Sequence, residues 1–196
     1  MIIINNKEFL RQNIAKKRAL LPSDEVRQKS QRIKKRVLET DIFTKSDTIL
    51  FYVSYGNEVQ THELITESFS LGKTVVVPKS VTDDHTLLLS KIACWDDLEK
   101  GAYSILEPKK QRITEIDSGA LDLIIVPGVV FDERGHRIGH GKGYYDRLLQ
   151  NAGHIPTLAL AFEIQIVDSI DSEPHDKRID TIITEKRIIK NKLGLL

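Results

Sequence analysis

Residues 121–149 read LDLIIVPGVVFDERGHRIGHGKGYYDRLL and contain the features that decide the fold. The stretch begins with the most apolar strand pattern in the chain, which Pro127-Gly128 interrupts. It then runs through a polar, glycine-rich loop into a helical pattern, GYYDRLLQNAG, at 143–153. A buried strand that leads through a loop into a helix is the repeating unit of α/β proteins, so this stretch predicts an α/β fold.

The rest of the chain repeats this alternation of strands and helices. Strands are predicted at TILFYVSYG (48–56), KTVVVPKS (73–80, stopped at Pro78), HTLLLSKIA (85–93), TLALAFE (157–163) and TIITEKRII (181–189), and helical segments at THELITESFSLG (61–72) and, as a short turn, WDDLEKG (95–101). Most strand patterns are continuously apolar, which indicates a sheet covered on both faces. The predicted fold class is therefore α/β: a three-layer α/β/α sandwich with a mainly parallel sheet, in which residues 1–196 form one domain.

The N-terminal part of the chain is basic. Residues 7–36 contain eleven Lys/Arg against three Asp/Glu, although the net charge of the chain is only +1. Apolar periodicity predicts a helical pair within residues 6–40, packed on the domain and divided by a turn at Pro22-Ser23-Asp24. Its basic side chains either contact nucleic acid or a phosphorylated small molecule, or form solvated helix faces, and composition alone favours solvated faces.

The composition and the first residues of the chain bear on its expected cellular location. No apolar run approaches the ~20 residues that a membrane-spanning helix needs, and the start MIIINNKEF lacks the pattern of a secretory signal. Cys94 is the only cysteine, which excludes an intramolecular disulfide and predicts a small buried apolar side chain instead. We expect a cytoplasmic monomer without membrane or nucleic-acid partners.

The loop at 139–146, GHGKGYYD, has glycine at three alternate positions. It matches neither the Walker A nor the dinucleotide pattern, because Gly143 replaces the hydroxyl residue of the first and Tyr144 the last glycine of the second. Glycines nevertheless allow backbone N–H groups to face a ligand, and the N-terminus of a helix follows directly. Since Arg137 and Lys142 add positive charge, the loop predicts a phosphate site.

The last three residues of this stretch, at the predicted start of the helix, can be interpreted in more than one way. Asp146 lies in the first helical turn, where it either compensates the helix dipole or binds Mg²⁺ together with substrate phosphates. Tyr144 and Tyr145 differ by ~100° around the helix, so one can pack while the other faces the loop.

The string PGVVFDERGHRIGHGKGYYDRLL at 127–149 resembles the signature of the 5-formyltetrahydrofolate cyclo-ligases, also called 5,10-methenyltetrahydrofolate synthetases. Further similar segments follow the family order: KEFLR (7–11), YVSYGNEVQT (52–61), GAYSILEP (101–108) and EPHDKRIDTIITE (173–185). The resemblance implies ATP- and Mg²⁺-dependent conversion of 5-formyltetrahydrofolate, with or without a polyglutamate tail, to 5,10-methenyltetrahydrofolate with release of ADP and phosphate. It also implies a fold similar to that of sugar-phosphate isomerases and CoA transferases.

The implied chemistry explains the residue types. Transfer of the γ-phosphoryl group to the formyl oxygen creates an imidate phosphate, which N10 attacks to close the ring and expel phosphate. Such a transfer depends mainly on positioning and charge stabilisation. The resemblance thus implies an ATP-dependent ligase that forms a C–N bond.

The resemblance assigns a role to individual residues. The implied ATP contacts are Lys7, Arg11, Arg137, Ile138, Gly139, His140, Gly141, Lys142, Gly143, Tyr144 and Tyr145. The implied folate contacts are Val53, Glu58 and Tyr145, the catalytic residues are Lys142, Arg137 and Tyr145, and the Mg²⁺ ligands are Asp146 and Asp176. Without the resemblance, Glu58 and Asp176 would be solvated loop carboxylates.

Three other functions stay open. The chain could be an ATP-dependent ligase or kinase of the same fold with another substrate, an RNA-binding module, or a nucleotide-binding regulator without catalysis. Residues 10–40 contain no Phe, Tyr or Trp, which disfavours RNA binding. The intact Lys142, Asp146 and Glu58 disfavour the regulator.

Overall fold

The computed structural model describes residues 6–101, 104–171 and 177–191. The helices are α1 (Asn6–Ala19), α2 (Ser23–Leu38), α3 (Asp41–Lys45), α4 (His62–Ser70) and α5 (Tyr144–Asn151). The strands are β1 (Thr48–Leu50), β2 (Thr74–Val81), β3 (Thr86–Ile92), β4 (Leu98–Lys100), β5 (Leu106–Pro108), β6 (Thr114–Glu115), β7 (Leu123–Val126), β8 (Val130–Asp132), β9 (Arg137–Ile138), β10 (Thr157–Leu160), β11 (Ile166–Val167), β12 (Thr181–Ile183) and β13 (Ile188–Lys190).

The central sheet has the strand order β13-β12-β10-β7-β1-β2-β3-β6. All neighbours from β12 to β2 are parallel. The outer pairs β12–β13, β2–β3 and β3–β6 are antiparallel. The predicted α/β fold with a mainly parallel sheet is confirmed. The similarity to sugar-phosphate isomerases and CoA transferases stays a prediction.

Alternate residues of the central strands enter two separate hydrophobic cores. In β7, Leu123 and Ile125 belong to one core, whereas Ile124 and Val126 belong to the other. Helices α2, α3 and α4 pack on the first core, and α5 packs on the second. Both faces of the sheet are thus covered, and each fully buried aliphatic side chain stabilises the fold by about 1.5–3 kcal/mol. This double burial explains why the strands read as continuously apolar.

The two N-terminal helices pack on different parts of the molecule. Helix α2 covers the central sheet, while Ile14 of α1 packs on a small sheet of order β11-β8-β9. Strands β8 and β9 lead into the glycine loop, so α1 lies beside that loop. The assignment of the whole chain to one domain stays a prediction.

Three local predictions are wrong. Strand β2 continues through Pro78 to Val81, because its parallel neighbour β1 ends at Leu50, opposite Val76, and a proline beyond that point interrupts no ladder on that side. The predicted short helical turn in WDDLEKG is present as a 3-10 turn at Trp95–Asp97, but its predicted extent to Gly101 is wrong, because residues 98–100 form β4. Cys94 is exposed, because it lies in the turn after β3 rather than in a core.

The topology brings two predicted loops together. Strands β1 and β7 are parallel neighbours, so the chain leaves both at the same edge of the sheet. The loop after β1 and the segment that leads from β7 through β8 and β9 to the glycine loop both begin there, as expected for ligand loops in α/β sheets.

Within the described ranges, no helix combines the length and apolar character required to cross a membrane.

Candidate functional site

A cavity of about 280 Å³ lies where these two loops meet. We call Arg137 and residues 139–146 its glycine-loop wall. Its apolar wall consists of Tyr52, Val53, Pro78, Leu87, Ile105 and Leu106. Tyr55, Ser80 and two carboxylates, Glu58 and Glu107, also line it. One side of the cavity is therefore polar and cationic, and the other can receive flat apolar rings.

The glycine loop has a backbone that side chains would strain. Gly141 and Gly143 have φ angles of +89° and +75°, in the region that favours glycine. Gly143 is also the N-cap of α5 and provides no side-chain cap. The positive end of the helix dipole therefore faces the loop without a capping side chain at that position.

A buried carboxylate fixes the start of this loop. Asp132 accepts hydrogen bonds from the backbone N–H groups of Arg134 (3.0 Å), His136 (2.9 Å) and Ile170 (3.0 Å). Its Oδ2 also lies 2.9 Å from Nδ1 of the buried His136 ring. Burial opposes ionisation of Asp132, but the hydrogen bonds from His136 and Ile170 hold its pKa below the ordinary value.

Helix α1 holds the loop from a second direction. Nε of Arg11 donates to the carbonyl oxygen of Gly139 at 2.9 Å, and the Arg11 guanidinium pairs with Glu8. Lys7 lies one turn earlier on α1 and is half-buried. Arg11 therefore touches the predicted phosphate loop directly.

The cations and Asp146 form the inner surface of the glycine-loop wall. The Arg137 side chain is almost fully buried, and its guanidinium forms an ion pair with the exposed Asp146 carboxylate. Nη1 of Arg137 also lies 3.4 Å from the carbonyl oxygen of Pro127. Lys142 is exposed and lines the cavity. The arrangement can bind an anion near the guanidinium and the ammonium groups.

Glu58 is a buried carboxylate at the end of the loop after β1. It is 5% exposed, and its Oε2 accepts the N–H of Tyr55 at 3.2 Å. Its Oε1 lies 3.3 Å from Nε2 of His140 in the glycine loop. The loop after β1 is held by the Thr61 hydroxyl, which accepts a hydrogen bond from the N–H of Ser54 (3.0 Å) and donates one to the Tyr52 carbonyl oxygen (2.8 Å). Glu58 is therefore a fixed acceptor in the cavity rather than a solvated loop residue.

Tyr145 brings a buried hydroxyl group to the cavity. Its oxygen has no hydrogen-bond partner among the described residues. Burial, with a contribution from the Glu58 charge, raises the pKa of Tyr145 far above its ordinary value. The hydroxyl consequently stays protonated at neutral pH and can donate to a ligand. The ring of Tyr144 stacks on His85 at a centroid distance of 5.5 Å.

The structure brings most of the predicted site residues into one cavity. Its lining includes Val53, Glu58, Arg137, Gly139, His140, Gly141, Lys142, Gly143, Tyr144, Tyr145 and Asp146. Ile138 is different, because its side chain packs in the core beneath α1. Asp176 lies outside the described residues. The loop after β10 contributes no described residue to the lining.

Sequence reasoning missed Pro78 and Ser80 in the β2–β3 arm (residues 74–92) and the segment 105–107, which reaches into β5. The arm adds Pro78, Ser80 and Leu87 to the lining, and the second segment adds Ile105, Leu106 and Glu107. The similarity of GAYSILEP to the family pattern was the signal available for the second segment.

The described residues offer only part of a metal site. Among residues 6–101, 104–171 and 177–191, no group of three or more His, Cys, Asp or Glu side chains could hold a metal ion. Mg²⁺ commonly uses one or two carboxylates and completes its coordination with water and substrate phosphates. Asp146, an exposed carboxylate beside the loop, fits that requirement.

Comparison with known proteins identifies the family of this chain. The model of the 5-formyltetrahydrofolate cyclo-ligase family matches residues 3–185. The chain belongs to this family. The 5-formyltetrahydrofolate cyclo-ligase of Mus musculus is 30% identical over 189 residues, which cover 91% of this chain and 93% of the mouse protein. The Escherichia coli K12 protein of the same name is 28% identical over 176 residues, covering 88% and 96% of the two chains.

Solved structures agree with this assignment. The NMR structure of Aquifex aeolicus 5,10-methenyltetrahydrofolate synthetase is 29% identical, with a TM-score of 0.85 and coverage of 97% of this chain and 95% of that one. A Mycoplasma pneumoniae synthetase is 25% identical, with a TM-score of 0.73 and coverage of 91% and 98%. The family predicted from the sequence is confirmed, and the protein is a ligase of folate one-carbon metabolism.

Proposed function

We propose that this cyclo-ligase converts 5-formyltetrahydrofolate to 5,10-methenyltetrahydrofolate, consuming ATP in the presence of Mg²⁺ and releasing ADP and phosphate. One observation carries the proposal. A cationic glycine loop and a buried carboxylate, Glu58, line the same cavity beside an apolar wall. The cavity therefore combines features suited to a polyphosphate with features suited to a reduced pterin.

The glycine-loop wall binds the nucleotide phosphates. Backbone N–H groups and the N-terminus of α5 supply uncharged donors, while Arg137 and Lys142 supply positive charge. Arg11 holds the loop through Gly139 and, with Lys7, contributes positive charge from α1. These groups orient the terminal phosphate and stabilise the charge that develops during transfer.

Asp146, with Asp176, holds the metal ion. When bound, Mg²⁺ supplies charge neutralisation to the phosphate oxygens. In the structure Asp146 pairs with Arg137, so its carboxylate is already directed to the cationic wall of the cavity. The same pair restrains Arg137 in the cavity.

The apolar wall binds the folate. Val53 and its neighbours offer a surface for the pterin, and Glu58 accepts hydrogen bonds from the amino and ring N–H groups of one pterin edge. The oxygen atoms of Glu58 are held by Tyr55 and His140, so little ordering is required on binding.

The reaction follows from this placement. The formyl oxygen attacks the γ-phosphorus, the bond to ADP breaks, and the formyl carbon becomes an imidate phosphate. N10 then attacks that carbon, loses its proton and expels phosphate, which closes the ring. The protonated Tyr145 hydroxyl donates to an oxygen of the transferring group, and Lys142 and Arg137 stabilise its charge.

A spectroscopic assay tests the proposal. Purified protein, Mg-ATP and 5-formyltetrahydrofolate should give the near-ultraviolet absorbance of the methenyl product, with one ADP formed per product. Omission of ATP or Mg²⁺ should abolish the signal. If no product forms while ATP still binds, another substrate or a regulatory role replaces this function.

A further inference from the structure

A second buried carboxylate lines the cavity on a separate segment of the chain. Glu107 lies in β5 and is 4% exposed, yet it contributes to the lining next to Ile105 and Leu106. A carboxylate in apolar surroundings is costly unless hydrogen bonds satisfy it. The proposed roles of the glycine-loop wall and of Glu58 leave this group without a function.

The surrounding structure is built to hold this carboxylate in place. The backbone N–H of Ser80, in β2, donates to Oε1 of Glu107 at 3.1 Å. Nζ of Lys79 donates to the carbonyl oxygen of the adjacent Pro108 at 3.1 Å. These two contacts fix β5 against the outer end of β2.

Gly101 provides the space for the same carboxylate. A Cβ atom at Gly101 would lie 2.2 Å from Oε2 of Glu107, which no real contact allows. A glycine is thus required for Glu107 to occupy its position. Three segments, at Ser80, Gly101 and Glu107, converge on one carboxylate at the cavity surface.

We propose that Glu107 is a further folate-binding residue, which accepts a hydrogen bond from an N–H group that Glu58 does not reach. This inference rests on the proposed function. A reduced folate carries N–H donors at more than one place, on the pyrimidine edge, the reduced ring and N10. One carboxylate can engage one edge, so a second, separately anchored acceptor fixes the orientation of the ring system.

The main alternative is a purely structural carboxylate that ties β5 to β2. Glu107→Gln separates the two roles, because the amide oxygen can still accept the Ser80 N–H while the negative charge is lost. The control is Glu99→Gln, since Glu99 is the direct cross-strand partner of Glu107 in β4 and is exposed. Glu107→Ala removes the acceptor entirely.

Calorimetry on the full-length protein tests the inference. We expect Glu107→Gln to weaken 5-formyltetrahydrofolate binding at least tenfold and Glu107→Ala to weaken it further, because a charge-assisted hydrogen bond is lost. ATP affinity should change less than twofold, and Glu99→Gln should bind both ligands like the wild type. The same split should appear as a raised KM for folate at an unchanged KM for ATP.

Two outcomes overturn the inference. Unchanged folate affinity in both Glu107 variants would remove the residue from the binding site. A parallel loss of folate and ATP affinity with a lowered melting temperature in Glu107→Gln would make its role structural. If the wild-type protein itself neither binds nor converts 5-formyltetrahydrofolate, the proposed function fails, a result that is distinct from both.

Discussion

The two walls of the cavity differ in how the chain builds them. The glycine-loop wall comes from one continuous stretch, Arg137 to Asp146, whereas the apolar wall combines residues of the loop after β1, of the β2–β3 arm and of the start of β5. The first wall is polar and positive, whereas the second is apolar, and two carboxylates, Glu58 and Glu107, also line the cavity. Under the proposed function, one wall binds the nucleotide phosphates and the other binds the folate.

The walls are also supported differently. The glycine-loop wall is anchored from outside the cavity, by Asp132 at its start and by Arg11 at Gly139. The apolar wall is anchored by contacts between the chain segments that form it. The backbone N–H of Ser80 in β2, for example, donates to the Glu107 carboxylate in β5. Substitutions should therefore affect catalysis and nucleotide binding at one wall, and folate affinity at the other.

The largest effect is expected from Asp146→Ala, which should abolish turnover at ordinary Mg²⁺ concentrations. The carboxylate pairs with Arg137, and in the proposed mechanism it also holds the metal ion, so its loss would remove charge stabilisation of the transferring phosphate. Folate affinity, measured by calorimetry, should change less than twofold. Full activity in this variant would remove the metal assignment.

Asp24→Ala provides the matched control for Asp146→Ala. Asp24 is also an acidic residue in the first turn of a helix, α2, and also pairs with an arginine, Arg27. Its loss reproduces the change in helix-dipole compensation without touching the cavity. We expect wild-type turnover from this variant, and a similar loss in both would attribute the effect to helix stability.

Glu58→Gln should have the next largest effect, a roughly 10- to 100-fold weaker binding of 5-formyltetrahydrofolate. The amide retains the size of the side chain but loses the charge and one acceptor. Nucleotide affinity should change much less than folate affinity, because Glu58 reaches the glycine-loop wall only through its contact with His140. Glu63→Gln, an exposed position in α4 paired with Lys34, is the control. Unchanged saturation by folate would contradict the role of Glu58.

The difference between the walls also explains what the sequence could predict. Gly141, Lys142 and Asp146 are close in sequence, so local rules for glycine, charge and helix ends point to a phosphate site before any fold is known. Glu107 approaches the cavity only because β5 packs on the outer end of β2, a contact that no local pattern encodes. The roles of Val53 and Glu58 came from the family resemblance rather than from spacing.

The sheet could be predicted for a similar reason. All four residues of β7 are buried, two on each face of the sheet, and all four are apolar. Such a run of apolar residues is visible without tertiary information. The predicted end of β2 at Pro78 is wrong, because the parallel neighbour β1 already ends opposite Val76. Pro78 therefore interrupts no hydrogen bond with β1. The predicted burial of Cys94 is wrong, because its exposure depends on its position in a turn between two strands rather than on its residue type.

Asp132→Asn should lower the free energy of unfolding by about 1–3 kcal/mol at neutral pH, since it weakens several hydrogen bonds to a buried charge. The sign of the pH dependence follows from the lowered pKa of Asp132. The wild-type side chain stabilises the fold above its unfolded pKa, and this contribution is lost as the pH falls through the folded pKa. In urea titrations from pH 6 to pH 2, the difference between wild type and variant should therefore shrink. A constant difference would show that ionisation of Asp132 is irrelevant.

The smallest effect is expected from Gly141→Ala, about 1–2 kcal/mol of backbone strain at a φ of +89°. Gly72→Ala is the control, because Gly72 has a φ of +74° after α4 and a new Cβ there meets no atom within 4 Å. At Gly141 the nearest atoms, of Arg11, lie at an ordinary 3.7 Å, so neither change causes a clash. Both variants should lose similar stability in urea. Only Gly141→Ala should weaken ATP binding, roughly tenfold, because only its strain reshapes the glycine-loop wall; equal ATP affinity in the two variants would mean that the nucleotide does not depend on this backbone.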